Sequence, residues 1–547
     1  MKTVIVGGVA GGASAATRLR RNDEKTEIIM IDKGEYVSFA NCGLPYYIGN
    51  VIKLKEDLIL QTPKSFKKRF NIDVRLRSEV ISVDTENNSI IIKDLNNNTT
   101  YVESYDNLLL SPGAKPLKPA NIDGIENSNV FVLRNIKDMD LIKNYIDYKK
   151  PKNCTVIGGG YIGLEVADNI SKLGLDVTIV EASSHVINTL DLDMAHFVHN
   201  HIRDNNVKLL LGKTATKINS NYIELQNSDK VFSDMVILSI GVIPDTFFLK
   251  NSGILLGDRG HIIVDEYLRT NISNIYAVGD SVSITNYIDK SKAAIPLAGP
   301  ANKQGRIAAD NICGKNIKYN GTQGTAIAKV FDITVAVTGL SEEYLKKNNI
   351  EYLKSITYSY SNATYYPGAK PMRIKLIFNK SGDILGTQIV GYDGVDKRID
   401  VIATAIRGKM SVYDLQELEL AYAPPFSSAK DPVNMAGYVA ANILNGYTNP
   451  FYIEDVENIE DDSIILDVRT DEEFRRGNLD NSIKISIDEL RENLNNIDKS
   501  KKIYLYCRIG QRGYIAERIL RQNGFENVYN LSGGYLMYED MIKDIEI

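Results

Sequence analysis

The sequence predicts a multidomain α/β protein, and three observations predict it. Two strand–glycine turn–helix–strand units stand about 150 residues apart, so two Rossmann-like nucleotide-binding domains are expected. Between about Thr322 and Ile443, strand-like stretches precede helix-like ones without any nucleotide turn, an α+β pattern. Beyond an Asn445-Gly446 break, a fresh α/β unit begins. A chain of 547 residues has room for these domains.

The first unit opens with an apolar strand and the turn Gly7-Gly8-Val9-Ala10-Gly11-Gly12. An Ala-rich helix, Ala13 to Arg21, and a strand, Glu27 to Asp32, follow. Gly7, Gly8, Gly11 and Gly12 let the backbone approach a pyrophosphate at a helix N-terminus. Asp32, 20 residues after Gly12, is placed to accept a bond from a ribose hydroxyl. Val9 stands where the G-x-G-x-x-G pattern has its middle glycine, so this turn departs from it.

The second unit runs from Cys154 to Glu181, and its turn carries Gly158, Gly160 and Gly163 in full register with the pattern. Glu181 lies 18 residues after Gly163. A carboxylate there bonds a ribose 2′-hydroxyl and repels a 2′-phosphate, which favours NADH over NADPH. Glu165 at the helix start either reaches the redox end of the cofactors or is a helix N-terminal acid favoured by the dipole. Leu110-Ser111-Pro112-Gly113-Ala114 and Leu238 to Asp245 read as strand-to-turn connections. Ile275 to Asp280 reads as a return to the first domain, ending on a carboxylate. Later strands are expected at Ala326 to Val337, Met372 to Phe378 and Leu385 to Gly391, and helices at Val395 to Arg407 and Val433 to Leu444.

The domains expected are residues 1–150 with 255–320, then 151–254, 321–445, a linker at 446–455, and 456–547. The net charge of −5 gives no reason to expect nucleic acid. No apolar run approaches the length of a membrane span, so no membrane partner is expected. Arg18, Arg20 and Arg21 argue against a cleaved leader over the first 17 residues. Four scattered cysteines exclude a disulfide framework, lack metal-site spacing, and fit a reducing cytoplasm.

Cys42, in Ser38-Phe39-Ala40-Asn41-Cys42-Gly43-Leu44-Pro45-Tyr46-Tyr47, lies ten residues after Asp32 and has no second cysteine nearby. A lone thiol at a nucleotide fold finds its sulfur partner outside the polypeptide, as a mixed disulfide or persulfide. With Gly113 and Asp280, these motifs resemble the FAD-dependent pyridine nucleotide–disulfide oxidoreductases over about 315 residues. The resemblance implies FAD on Gly7, Gly8, Gly11, Gly12, Asp32, Gly113 and Asp280. It implies NADH or NADPH on Gly158, Gly160, Gly163 and Glu181.

The single-cysteine motif, Ala421-Tyr422-Ala423-Pro424-Pro425-Phe426-Ser427-Ser428-Ala429-Lys430 and Tyr365-Tyr366-Pro367-Gly368 are similar to the coenzyme A disulfide reductase family. That family implies a homodimer through residues 322 to 443. One tyrosine from each stretch then reaches the reactive sulfur of the other subunit: Tyr422, and Tyr365 or Tyr366, with Tyr365 favoured. Phe426 stands where relatives often carry a further tyrosine. Coenzyme A, as substrate or bound ligand, is implied on Arg18, Arg21, Ser38, Asn41, Asn302 and Lys430. From the residues alone, a solvated basic helix face is the alternative for Arg18.

Cys507-Arg508-Ile509-Gly510-Gln511-Arg512 follows an apolar strand and precedes a helical stretch, Gly513 to Gln522. Such a loop aims backbone N–H groups at the sulfur, lowers its pKa and stabilises an anionic persulfide. The loop is one residue shorter than a phosphatase's, with Arg512 closing it. With Leu466-Asp467-Val468-Arg469 and Glu473-Phe474, this unit resembles a rhodanese domain, although Asn478 replaces the family's usual His. Arg508 and Arg512 are the expected substrate-binding residues of this loop. Cys154 and Cys313 are given no role.

Together these features predict a flavoenzyme that uses NAD(P)H to reduce coenzyme A disulfide, coenzyme A persulfide or polysulfide through Cys42, with Cys507 transferring sulfur. Two alternatives stay open here: an NADH oxidase or peroxidase cycling through a sulfenic acid, and a non-enzymatic redox sensor or sulfur carrier.

Overall fold

The computed structural model describes residues 1–546. The chain folds as two compact units: residues 1–182 with 212–324, and residues 183–211 with 325 onward.

In the first unit, Lys2–Val6 lies between Glu27–Ile31 and Asn107–Leu110, with Asp73–Arg75 and Ile275–Ala277 on the edges, all parallel. A parallel sheet is covered on both faces, so its central strands are continuous apolar runs such as Ile28–Ile31 and Leu108–Leu110. The expected return at Ile275 is the edge strand beside Asn107–Leu110. A second parallel sheet runs Asp176–Val180, Asn153–Ile157, Met235–Leu238, Val130–Val132.

The first helix is Ala10–Asn22, three residues longer at its start than the alanine run suggests. Gly11 and Gly12 are inside it because nothing larger fits. A Cβ on Gly12 would lie 1.8 Å from Gly7 O. The same contact recurs in the second fold, where a Cβ on Gly163 would lie 2.0 Å from Gly158 O. The helix Ala298–Ile312 crosses the first helix so closely that a Cβ on Gly305 would meet Gly11 O at 2.3 Å.

The second unit holds an antiparallel sheet in the order Ala326–Val330, Ile333–Gly339, Ile384–Gly391, Pro371–Phe378, Leu353–Tyr360. The stretch Ala326 to Val337, expected as one strand, is a hairpin. Its apolar pattern runs through a turn at Phe331, φ +57°, that lacks the usual Gly, Pro or Asn signal. The helices Val395–Arg407 and Pro432–Leu444 fall where the periodicity put them.

The last domain is a parallel sheet ordered Pro450–Phe451, Val528–Leu531, Ile503–Tyr506, Ile464–Asp467, Ile483–Lys484. Residues 446–455, expected as a linker, instead supply its edge strand, Pro450–Phe451, paired to Asn530–Leu531. Turn-forming residues masked a two-residue strand too short to show a period. Within this unit, Ser532 Oγ accepts Ile356 N–H at 3.0 Å from the antiparallel sheet.

The last helix, Tyr535–Ile545, is bound to the helix Leu192–Asp204. Asp544 Oδ2 accepts from His196 Nδ1 at 2.6 Å and His199 Nδ1 at 2.7 Å, and Asp544 Oδ1 accepts from Arg203. Asn200 Nδ2 adds a bond to Asp540 O at 2.8 Å. Two histidines and an aspartate this close could suggest a metal site. The bonding argues otherwise. His199 Nε2 already accepts Val186 N–H at 3.2 Å, so the ring proton sits on Nδ1, and the Arg203 cation shares the carboxylate. Among the described residues, no helix is long and apolar enough to cross a membrane.

Candidate active site

Cys42 sits in a single 3-10 turn, Asn41–Gly43, ahead of the short helix Leu44–Ile48. Ser38 adopts φ +49°, and its N–H donates to Gly8 O at 2.8 Å, which binds the cysteine loop to the first glycine turn. Gly43 is required here, since a Cβ would lie 2.4 Å from Leu58 Cδ2. Asn41 Oδ1 is buried and has no protein partner, an acceptor available to a ligand.

The charges around the sulfur come from three segments. Glu165, on the helix Tyr161–Ser171, accepts a hydrogen bond from Tyr46 OH at 3.1 Å. It therefore faces the cysteine loop rather than serving only its own helix end. Asp280 pairs with Arg134, Nη2 to Oδ2 at 3.0 Å. Cys42 is exposed as a residue, yet burial of its sulfur, with the Glu165 and Asp280 carboxylates, pushes the thiol pKa up. Arg134 opposes that shift. Burial likewise raises the Glu165 carboxyl, against the Tyr46 hydrogen bond. Arg134 escaped the sequence reading, because it belongs to no motif and only the fold brings it to the thiol. Tyr46 stands in the cysteine motif itself, but no role was expected of it.

The two glycine turns are built alike. Asp32 Oδ2 accepts Gly8 N–H at 2.8 Å, and Asp32 Oδ1 accepts Gly34 N–H at 2.8 Å. Glu181 Oε2 accepts Gly159 N–H at 2.6 Å. Each carboxylate ends the second strand of its fold, beside the turn that a pyrophosphate would approach. A Cβ on Gly160 would meet nothing within 4 Å, so that glycine leaves open space, whereas Gly7, Gly12, Gly158 and Gly163 are fixed by backbone contacts. Gly113, φ +70°, lies against Arg134, where a Cβ would be 3.1 Å from Nη2. These residues fit one dinucleotide on each fold.

The six residues expected to hold coenzyme A lie on three segments of the first unit and one of the second. Arg18 binds Asp310 through Nε at 2.8 Å and Nη2 at 3.0 Å, so it is an ion-paired helix contact and not a solvated face. Burial opposes ionisation of Asp310, but Arg18, Asn22 and Lys315 hold its carboxyl down at about 2. Asn302 accepts from Ser14 and, like Arg18, joins the helices Ala10–Asn22 and Ala298–Ile312. Arg21 is exposed on the last turn of the former. Ser38 and Asn41 belong to the cysteine loop, and Lys430 lies in the second unit, exposed before the helix Pro432–Leu444.

In the second unit, Tyr365 OH and Tyr422 OH are hydrogen-bonded at 2.7 Å. Tyr366 N–H donates to Ala363 O, and its phenol takes no part in that pair. Tyr365 is therefore the partner of Tyr422. Both phenols are exposed, and Phe426 is 70% exposed beside them.

Cys507, buried, follows the strand Ile503–Tyr506, and Gly510 N–H points at its Sγ from 3.1 Å. Gly510 needs φ +92°, and Gly534 needs φ +68° because a Cβ there would meet Ile509 N at 2.6 Å. Arg512 is held by Glu473 through two bonds, 2.8 and 2.6 Å, which keep the Glu473 carboxyl down at about 2. Arg508 is exposed at the loop tip. Asn478 Nδ2 donates to Phe474 O at 3.2 Å, closing a turn of its own segment.

Comparison with known proteins agrees across the chain. Residues 1–305 match the pyridine nucleotide-disulphide oxidoreductase profile, residues 325–432 its dimerisation domain, and residues 454–540 the rhodanese-like domain. A coenzyme A disulfide reductase of Staphylococcus haemolyticus is 36% identical over 444 residues, 81% of this chain and 100% of the relative. The crystal structure of reduced Bacillus anthracis CoADR-RHD superposes with a TM-score of 0.97 at 48% identity, covering 99% of this chain and 98% of that one. A NAD-dependent persulfide reductase from A. fulgidus superposes with a TM-score of 0.92 at 37% identity, covering 98% and 100%. The chain thus belongs to the pyridine nucleotide-disulphide oxidoreductases and, within them, to the coenzyme A disulfide reductase family, in the form that carries a C-terminal rhodanese-like domain.

Proposed function

We propose that this protein reduces coenzyme A disulfide, coenzyme A persulfide or polysulfide through Cys42, with Cys507 carrying sulfane sulfur. The observation that carries the reading is a solitary thiol among Glu165, Asp280 and Arg134, in a chain that also holds a second thiol inside a sulfur-transfer loop. Bound FAD and a nicotinamide supply hydride transfer and a two-electron reductant. Gly7, Gly8, Gly11, Gly12, Asp32, Gly113 and Asp280 would hold the flavin nucleotide, and Gly158, Gly160, Gly163 and Glu181 the nicotinamide nucleotide, with NADH preferred.

Cys42 attacks one sulfur of the substrate. A mixed disulfide forms, the substrate S–S bond breaks, and a thiolate leaves. Two electrons then cleave the mixed disulfide, returning Cys42 and releasing the second thiol. Since burial and two carboxylates disfavour its thiolate, Cys42 needs a proton acceptor, and Glu165, whose own pKa is raised, stands nearby. In the homodimer that the dimerisation domain suggests, the Tyr365–Tyr422 pair serves the other subunit's sulfur and donates to the leaving thiolate. A neutral phenol does this without burying a charge. Ser38, Asn41, Arg21 and Lys430 would contact coenzyme A, while Arg18 and Asn302 join the helices Ala10–Asn22 and Ala298–Ile312. With persulfide or polysulfide, the Cys507 thiolate beside Arg508 and Arg512 attacks the outer sulfane sulfur, the S–S bond breaks, and a thiol or shortened polysulfide leaves. Cys42 then attacks the outer sulfur of the Cys507 persulfide, and the Cys507 thiolate leaves. Two electrons release that sulfur from Cys42 as hydrogen sulfide.

The test uses two variants. Cys42→Ser is expected to abolish NADH oxidation with either acceptor. Cys507→Ser is expected to spare coenzyme A disulfide reduction and impair hydrogen sulfide release from polysulfide. Equal loss on both substrates from Cys507→Ser would refute the division of labour. Peroxide consumption without sulfide release would instead favour a sulfenic acid oxidase.

A further inference from the structure

Arg398 is among the largest fully buried side chains of the protein, 1% exposed. A buried guanidinium is costly unless its donors find acceptors. Five bonds run from it to three segments. Nε donates to Asp431 Oδ1 at 3.5 Å and Nη2 to Asp431 Oδ2 at 3.0 Å. Nη2 also donates to Ser427 Oγ at 3.0 Å and Ser361 O at 3.2 Å, and Nη1 donates to Gly394 O at 3.2 Å. Asp431 is held in turn by Ser427 Oγ at 2.6 Å and Val433 N–H at 3.0 Å.

This network joins the loop that presents Tyr365 to the loop that presents Tyr422 and Lys430. Both loops and Arg398 line one cleft of about 620 Å³, whose wall includes Pro367, Tyr422 and Phe426. Within one chain the phenols are exposed, so packing inside the subunit does not fix their 2.7 Å separation. A backbone bond from Ala363 N–H to Pro424 O, 3.3 Å long, is a weak second tie.

We propose that Arg398 is a positioning residue for the reductive chemistry: its forked bonds set the distance between the Tyr365 and Tyr422 phenols. The proposal rests on the function proposed above, in which that pair serves the leaving thiolate. Lysine would keep the charge but lose the planar fork, so Arg398→Lys separates the two properties.

The experiment measures turnover of coenzyme A disulfide by the dimeric holoenzyme, with stopped-flow reduction of the flavin by NADH as the second readout. Arg398→Lys is expected to lower kcat by about 100-fold, as misplacement of about 1 Å does. The KM for NADH and the rate of flavin reduction should stay unchanged. In a Tyr365→Phe/Tyr422→Phe background, Arg398→Lys should cause no further loss, because the groups it positions are gone. Equal fold-losses in both backgrounds, or full activity in Arg398→Lys, would overturn the proposal. Should Arg398→Lys not fold, Ser427→Ala removes one arm of the network and supports the same comparison. Full activity of the double phenylalanine variant would be a different result, overturning the role given to the phenols.

Discussion

At the scale of single residues, each thiol loop depends on the charges built around it. Cys42 is surrounded by net negative charge, with Arg134 as the opposing cation. Alkylation of the reduced protein by iodoacetamide is expected to show a Cys42 inflection above 9.0, the value for an ordinary cysteine, which mass spectrometry of the peptide can follow against pH. Glu165→Gln should lower that inflection and Arg134→Gln should raise it. A Cys42 inflection below that of an ordinary cysteine would contradict the charge assignment. The second loop depends on Glu473. Its carboxyl is held at about 2 by Arg512, below the ordinary 4.5, so the pair stabilises the fold above pH 4.5. That contribution is lost as pH falls toward about 2. Glu473→Gln should remove this part of the acid transition, readable by circular dichroism, and should slow sulfur transfer by freeing Arg512. The chemistry-bearing residues of both loops were legible in the sequence because each sits at a motif's fixed spacing. Arg134 and Arg398 were not, since a side chain that acts from another strand or helix leaves no local pattern.

At the scale of elements, the glycine turns divide into two kinds. Gly12 and Gly163 are required by the fold, because a Cβ on either would strike the carbonyl of the turn's first glycine. The fold does not require Gly160, because its Cβ would enter open space, so under the proposed function its role is toward the nicotinamide nucleotide. Gly12→Ala is therefore expected to cost at least about 3 kcal/mol, the upper range for overpacking, and to reduce the flavin-to-protein absorbance ratio. Gly160→Ala is expected to fold normally, keep its flavin and raise the KM for NADH by about tenfold or more. Equal effects of the two changes would contradict this division. Periodicity located most elements well, including Val395–Arg407 to the residue. It failed at the Phe331 hairpin, where a positive φ is carried by a residue that sequence rules exclude from such turns, and at the two-residue strand Pro450–Phe451.

At the scale of the whole molecule, the C-terminal domain is not a bead on a flexible tether. Its edge strand is the expected linker, and its last helix is held by Asp544 to His196, His199 and Arg203. Nothing in the sequence announced this clamp, since its partners lie about 345 residues apart. Burial holds His199 below the ordinary histidine value of 6.5, against the pull of Asp544, so the unfolded form binds the extra proton. The clamp should weaken first as pH falls below 6.5. It should weaken again in the aspartate range, because the His196 and His199 hydrogen bonds hold the Asp544 carboxyl down despite its burial. Asp544→Ala leaves three buried donors without their acceptor and should cost about 3–5 kcal/mol locally. Hydrogen exchange should then show lost protection in Tyr535–Ile545 with flavin binding intact.

In the proposed reaction Cys42 forms the covalent bond to the external sulfur. Peptide mass spectrometry of the enzyme, exposed to coenzyme A disulfide and then to NADH, reads that bond. A coenzyme A adduct is expected on Cys42, and it should disappear when NADH is added. Turnover with Cys42 never modified, or with the adduct confined to Cys507, would contradict the proposal.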